Sequence, residues 1–399
     1  MSAPGKAHGA LEGKRVIFVF AGEVLGGAER GGLDLAVDLR RVDGVSAEIC
    51  ALDDRRGRAR AVADEHGIPW SCIRTPWGGT RAHKALLLAR VARGLRHLRP
   101  DVLISSTNLP NVVCGLTWRA TGASLAVWNQ CDVNGSTRFG QGLFRRALHA
   151  SPLVVTAAYH ARDWLVETFD VDPHRVHVVR TTVTLRPPRE SGASWRERLG
   201  LGEDDVVGCM LAHFHGGKDH ETLLRAWRLV VDRLPPRGRR PVLLLAGRDA
   251  GREDAAKALA FDLDLREFVR FVGEVDDIGG LLDAADLAVL SSARECFPRG
   301  AMEPMAAGLP VVGTDVPGVS EAVGEPGAPY LAPSGDADAL ADAILRLVGE
   351  PELRARLGRA NAELIRSRQS GDSTSRAYAG LLRDGLAGRL PPPPVVGLP

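Results

Sequence analysis

Two glutamates, Glu295 and Glu303, stand with seven residues between them in the stretch Arg294 to Val323. An ionised carboxylate accepts hydrogen bonds from neighbouring hydroxyls, so a pair of this kind suits a polyhydroxy ligand such as a sugar. Between them, Cys296-Phe297-Pro298-Arg299-Gly300 reads as the turn from a strand into a helix. Amides at a helix start point outward with the helix dipole behind them, which suits phosphate. The spacing predicts outward-pointing N–H groups near residues 299–302, with one carboxylate in the loop before the helix and the other in its first turns. Pro304 follows the second acid and removes one N–H, which is tolerable near a helix start and costly deeper in. A third candidate is Lys218, in His213-Phe-His215-Gly-Gly-Lys218, just before a predicted helix. The only lysines are Lys6, Lys14, Lys84, Lys218 and Lys257, and arginine supplies the other basic residues. A lysine kept here points to the need for a compact point charge.

These residues need elements to hold them. An apolar segment over 287–290 leads into Ser291-Ser292, and the small-residue run from Met305 to Gly308 reads as a tightly packed helix ending at glycine. Another buried strand follows at 311–314. The same alternation extends through the chain. Strands over 16–20, 47–52, 70–73, 101–105, 125–128, 153–157 and 176–179 alternate with helical patterns, the first following Gly26-Gly27. Residues 180–195 shift to Thr, Pro, Arg, Ser and Gly and read as a linker. A second set follows, with strands over 206–211, 242–246 and 269–272 before the glutamate region. Helices over 336–347, 351–367 and 373–386 complete it. This βαβα order predicts two α/β domains with doubly wound parallel sheets. A chain of 399 residues also exceeds one average domain. Residues 1–13 read as a flexible leader, and a proline-rich tail starts near 391.

Composition excludes several classes. Hydrophobic content of 45% and charged content of 25% are those of a globular protein, and net charge +2 argues against a dedicated nucleic-acid surface. No apolar run approaches the ~18 residues of a spanning helix. The apolar stretch over 16–20 after Lys14-Arg15 is too short for a signal sequence and reads as a first strand. Six scattered cysteines, with no C-x-x-C pair, indicate reduced thiols in a cytoplasmic protein without a zinc site. Two D-x-D triplets, Asp262/Asp264 and Asp336/Asp338, fall on or at the start of predicted helices, which is the wrong place for a Mg²⁺–diphosphate ligand.

The glutamate region resembles the E-x7-E region of retaining family-4 glycosyltransferases. Acid, Phe-Pro, acid, small-residue helix, Gly-Leu-Pro-Val-Val and Thr-Asp occur in that family's order, over a likeness spanning residues 15–388. Gly26-Gly27-Ala-Glu-Arg resembles the family's N-terminal loop and departs from a dinucleotide G-x-G-x-x-G fingerprint. The resemblance implies the GT-B fold, two Rossmann-like domains facing a cleft. It implies an acceptor-binding domain over 14–182, with a helix at 371–388 packing back on it, a donor-binding domain over 183–370, and a tail over 389–399. It further implies that Glu303 holds ribose hydroxyls, Glu295 the donor sugar, Lys218 the diphosphate, and backbone from Cys296 and Phe297 to Gly300 the phosphates. Gly26 and Gly27 would add backbone from the other domain. The implied reaction is retaining transfer of a hexosyl-type sugar from a nucleotide diphosphate sugar, with UDP as the guess, to an acceptor hydroxyl of a glycan, lipid or small molecule. No cofactor, metal, nucleic-acid partner or transmembrane segment is expected, and peripheral membrane contact is left open. The departures matter. Cys296 stands for the usual Gly, Pro304 for Ala, and Arg180-Thr-Thr-Val-Thr184 for the usual hinge turn. The family's arginine beside the lysine is missing, with His213, His215 or the more distant Arg248 as substitutes. A diphosphate beside either histidine would favour the imidazolium, making donor affinity fall with rising pH. The family's N-domain histidine is also missing; Asn129-Gln130-Cys131-Asp132 stands there, with Asp132 as sugar or acceptor contact or as a helix-cap or turn residue. An epimerase of the same architecture and a non-catalytic sugar-nucleotide-binding module are the alternatives.

Overall fold

A computed structural model describes residues 11–54, 57–76, 78–133, 140–181, 183, 185–235, 238–368 and 371–390. The leader expected over 1–13 therefore lies mostly outside the described residues, as do Thr182 and Thr184 of the hinge and the tail beyond 390. The chain divides into two compact units, one of residues 1–182 with 371–399, the other of residues 183–370.

The first unit holds strands β1 (Arg15–Phe20), β2 (Ser46–Ala51), β3 (Trp70–Cys72), β4 (Val102–Ser106), β5 (Leu125–Gln130), β6 (Leu153–Thr156) and β7 (Val176–Val178). Helices α1 (Gly27–Asp43), α2 (Arg58–Glu65), α3 (Arg81–His97), α4 (Asn108–Thr121), α5 (Gln141–Ala150) and α6 (Tyr159–Phe169) connect them. The sheet order is β3-β2-β1-β4-β5-β6-β7, all parallel, with Phe18 opposite both Ile49 and Ile104. β1 is apolar throughout after Arg15 because helices cover both faces of the sheet. Val91 and Leu95 of α3 pack with Val113 of α4 on one face, and Leu33, Leu39 and Val62 of α1 and α2 pack on the other.

In the second unit the strands are β8 (Val206–Leu211), β9 (Pro241–Ala246), β10 (Val269–Gly273), β11 (Leu287–Leu290), β12 (Val311–Thr314) and β13 (Leu331–Ala332), ordered β10-β9-β8-β11-β12-β13 and again parallel. Its helices are α7 (Gly192–Leu199), α8 (His220–Arg233), α9 (Glu253–Asp262), α10 (Ile278–Asp283), α11 (Arg299–Ala306), α12 (Pro317–Gly327), α13 (Ala337–Gly349) and α14 (Pro351–Arg368). The last helix, α15 (Gly371–Leu386), belongs to the first unit: Tyr378, Ala379 and Leu382 join its core, and Arg383 reaches the buried carboxylate of Asp43 at 3.0 Å.

Both sheets are doubly wound, as the alternation predicts. Three elements were not legible. α7 begins inside the stretch read as linker, capped by Ser191, whose hydroxyl accepts the Ser194 amide at 3.2 Å. α12 is broken at Gly324 (φ 59°), and its Gly and Pro content hides its helical pattern. β13 is two residues long.

Candidate active site

In an open parallel sheet the crevice for a ligand lies beyond the strand C-termini where the order reverses. In the second unit that point falls between β8 and β11. The loops after these two strands carry His213, His215 and Lys218 on one side and Ser291, Ser292 and Glu295 on the other.

After β8 the chain makes a single 3₁₀ turn, Gly216–Lys218, before α8. His215 caps it, its Nδ1 accepting the Gly217 amide at 3.1 Å. Asp219 adopts a left-handed conformation (φ 47°) and caps α8 through the Thr222 amide and hydroxyl, at 3.2 and 2.7 Å. The Ser291 hydroxyl closes on the carbonyls of Lys218 and Asp219 at 3.0 and 2.9 Å, which ties the β11 end to this turn. Lys218 then meets Glu295 in an ion pair whose side chains are 20% and 11% exposed. The Ser292 hydroxyl donates to the same carboxylate oxygen, Oε1, at 2.6 Å. Ser292 is fully buried, and its carbonyl accepts the Thr314 hydroxyl of β12 at 2.5 Å. Thr314, Ser292, Glu295 and Lys218 thus form one continuous polar chain.

Gly300 explains how α11 reaches this point. A Cβ there would lie 2.4 Å from the Leu211 carbonyl, so the first turn of α11 sits directly on the end of β8. Gly318 does the same for α12, where a Cβ would fall 2.4 Å from the Glu295 carbonyl. Glycine at both positions lets two helix starts crowd around the glutamate loop. Glu303, on the second turn of α11, accepts Arg299 Nε at 3.1 Å, with the two side chains 17% and 9% exposed. Pro304 is the sixth of the eight residues of α11, deeper than a helix start, yet the helix continues through Ala307 N–H to Glu303 and Leu309 N–H to Pro304, both at 3.0 Å. Pro298 carries no amide, and those of Ala301 and Met302 are taken by the Pro298 carbonyl at 3.1 and 3.2 Å. The outward amides expected across 299–302 are therefore at most those of the first two positions. The side chains of Cys296 and Phe297 are buried, so any ligand contact from them is through backbone.

Neither histidine is arranged as an arginine would be. His213 Nδ1 accepts the Arg248 amide at 3.2 Å, which brings these two residues together at the ends of β8 and β9. The pKa of His215 is lowered by burial, then by the Lys218 charge, with Glu295 opposing. His220, at the start of α8, was not singled out in the sequence. It stacks on Phe214 with ring centroids 4.4 Å apart, and burial above all pushes its pKa down to about 4.

Gly26, Gly27 and Asp132 lie in the first unit. Gly26 precedes α1, and its amide donates to Glu29 Oε2 at 3.2 Å, closing the helix start next to the β1/β4 reversal. Asp132 follows β5 and is held through Gln130, whose amide donates to the Asp132 carbonyl at 2.5 Å and more weakly to its carboxylate at 3.4 Å. Trp128 fixes Gln130 in turn, its indole N–H donating to Oε1 at 2.8 Å. Of the D-x-D residues, Asp336 caps α13 through the Ala339 amide at 2.9 Å, Asp338 pairs with Arg233 at 2.6 Å, and Asp264 is a left-handed residue (φ 52°) after α9. Among the described residues, no group of three or more His, Cys, Asp or Glu could hold a metal ion. Among them, too, no helix is long and apolar enough to cross a membrane.

Residues 192–364 match the family described as Glycosyl transferases group 1, and residues 25–186 match Glycosyltransferase Family 4. Together the two matches run through both sheets and include the glutamate loop. The chain belongs to the family-4 glycosyltransferases. It is 33% identical over 245 residues to a D-inositol 3-phosphate glycosyltransferase of Saccharomonospora viridis, covering 60% of this chain and 56% of the relative. A Streptomyces scabiei protein of the same name is 30% identical over 247 residues, covering 59% and 55%. This family-4 chain thus spans a little over half the length of these curated relatives. An N-acetyl-alpha-D-glucosaminyl L-malate synthase of Bacillus anthracis is 27% identical over 317 residues, 76% of this chain and 81% of the relative. Among solved structures, Anabaena Alr3699/HepE in complex with UDP and glucose superposes with a TM-score of 0.79 at 20% identity, over 92% of this chain and 99% of that one. Sucrose-phosphate synthase from Thermosynechococcus elongatus gives 0.75 at 18% identity, over 94% and 100%. At these identities the likeness concerns the fold: GT-B, two Rossmann-like parallel-sheet domains.

Proposed function

We propose that this family-4 chain is a retaining glycosyltransferase that moves a hexosyl-type sugar from a UDP-sugar to an acceptor hydroxyl. The observation that carries the reading is the Lys218–Glu295–Ser292 cluster at the β8/β11 reversal, beside the first turns of α11 that carry Glu303. In this reading Glu303 holds the ribose hydroxyls, and Arg299 orients its carboxylate. Glu295 accepts hydroxyls of the transferred sugar. Lys218 and the early α11 amides bear the charge that builds on the leaving diphosphate, an electrostatic role that needs no metal. The acceptor oxygen forms its bond to the anomeric carbon as the bond to the diphosphate oxygen breaks, and that departing oxygen takes the acceptor proton. UDP is favoured as the base because HepE binds UDP and UDP-glucose. The names of the relatives point to a small hydroxylated anion as acceptor, since inositol phosphate and malate share that chemistry.

The test is product analysis. Incubation with a panel of UDP-sugars and hydroxylated acids, with and without EDTA, is expected to yield an α-linked product from an α-configured donor and equal rates in both arms. Hydrolysis or epimerisation of donor alone, a β-linked product, or complete loss with EDTA restored by Mg²⁺ would each overturn a stated part of the reading.

A further inference from the structure

We propose that the outer face of α3, α4 and α5 docks on an anionic lipid surface. Residues 75–162 contain eleven Lys and Arg against two carboxylates, Asp101 and Asp132, so the near-neutral chain conceals a strongly basic segment balanced by acid elsewhere. The fold gathers much of that segment on one side of the first sheet, where α3 packs on α4 and α4 on α5. Arg90 and Arg93 of α3, Arg119 of α4, and Arg145 and Arg146 of α5 are exposed, with Lys84 half-buried. Among the described residues no carboxylate pairs with any of them. Neither acid of the segment neutralises the face. Asp101 is engaged by Lys14 at 3.2 Å and by the Arg15 amide at 2.8 Å, and Asp132 is tethered to Gln130 beyond the end of β5.

Apolar groups stand among these charges. Leu86 of α3 is 70% exposed. A groove of about 390 Å³ runs over the helices, lined by Leu88, Leu116, Trp118 and Leu143 together with Arg119 and Arg146. The Trp118 N–H is satisfied by the Ala150 carbonyl at 2.9 Å, and the Arg119 guanidinium lies 4.7 Å from its ring centroid. Basic side chains around a projecting leucine, a half-buried indole and an apolar groove match the boundary between headgroups and acyl chains. A nucleic acid or other soluble polyanion would use the charges and leave the leucine and groove without a role. Juxtamembrane basic residues each strengthen binding to an anionic surface several-fold, and the attraction is screened within a Debye length.

The test is co-sedimentation of the full chain, without sugar nucleotide, on vesicles of phosphatidylcholine alone or with about 30 mol % phosphatidylglycerol. This keeps its outcome separate from that of the donor-site reading. Binding is expected only with the anionic lipid, and it should weaken at least tenfold in Arg93→Glu/Arg145→Glu/Arg146→Glu. Leu86→Ser is expected to weaken vesicle binding several-fold while leaving binding to heparin unchanged. Retained thermal stability in each variant checks folding. No binding to phosphatidylglycerol vesicles at about 0.1 M salt would overturn the proposal. So would wild-type vesicle binding by Leu86→Ser alongside tight heparin binding, which would assign the face to a soluble polyanion.

Discussion

Removing one member of the Lys218–Glu295 pair strands the other where water reaches little of it. The side chains are 20% and 11% exposed, between a surface pair and a buried one. Truncating one partner of a fully buried pair costs about 3–5 kcal/mol, whereas an exposed pair contributes about 1 kcal/mol or less. The Ser292 hydroxyl on the same oxygen compensates part of the stranded charge when lysine is lost. An intermediate loss of roughly 2 kcal/mol is expected for Lys218→Met, and a similar loss for Glu295→Gln. In a domain of this size that corresponds to a fall in Tm of roughly 4–8 °C. The double variant removes both charges together and is expected to recover to within about 1 kcal/mol of the unmutated protein, although all three variants lose turnover. Scanning calorimetry without nucleotide on the four proteins measures the cycle. Single variants within about 1 °C of the parent, or a double variant whose loss is the sum of the singles, would refute the pairing and make Lys218 a solvated loop lysine.

Three further outcomes are expected. Glu303→Ala should mainly raise the Kd for donor, whereas Glu295→Gln should mainly lower kcat, as single-turnover kinetics can separate; similar effects on both constants in both variants would contradict the division of roles. His220 has a folded pKa of about 4, below the unfolded value of about 6.5, so the unfolded state binds the proton first. Stability should therefore fall by up to about 3 kcal/mol as pH drops from 6.5 to 4, and His220→Phe should remove that part of the slope in urea titrations; an unchanged slope would mean the ring stays solvated. Finally, both His213 and His215 use Nδ1 as an acceptor for a backbone N–H, which requires the neutral ring. The imidazolium suggested by the sequence is thus disfavoured, and donor affinity should be flat between pH 6 and 8.5. A calorimetric decline of more than about threefold over that range would restore the charged histidine.

The alternation of apolar strands and amphipathic helices was enough to determine two doubly wound sheets, because a strand buried on both faces must be apolar along its length. The E-x7-E spacing was likewise enough to put one acid before α11 and one on it, since that spacing depends only on local chain geometry. Ser291 and Ser292 were visible as a strand end, but their hydroxyl bonds to the Lys218 turn and to Glu295 join residues far apart in the chain. No local pattern records those bonds. The pairing of Arg299 with Glu303 was local, at i and i+4, and could have been read. Pro304 looked like a risk to the helix, and only packing around a buried α11 decided that the helix runs past it. The histidines show the limit most clearly. Their residue type suggested a titrating charge, whereas the backbone amides that fold onto each Nδ1 select the neutral ring, and those amides are brought there by tertiary structure alone.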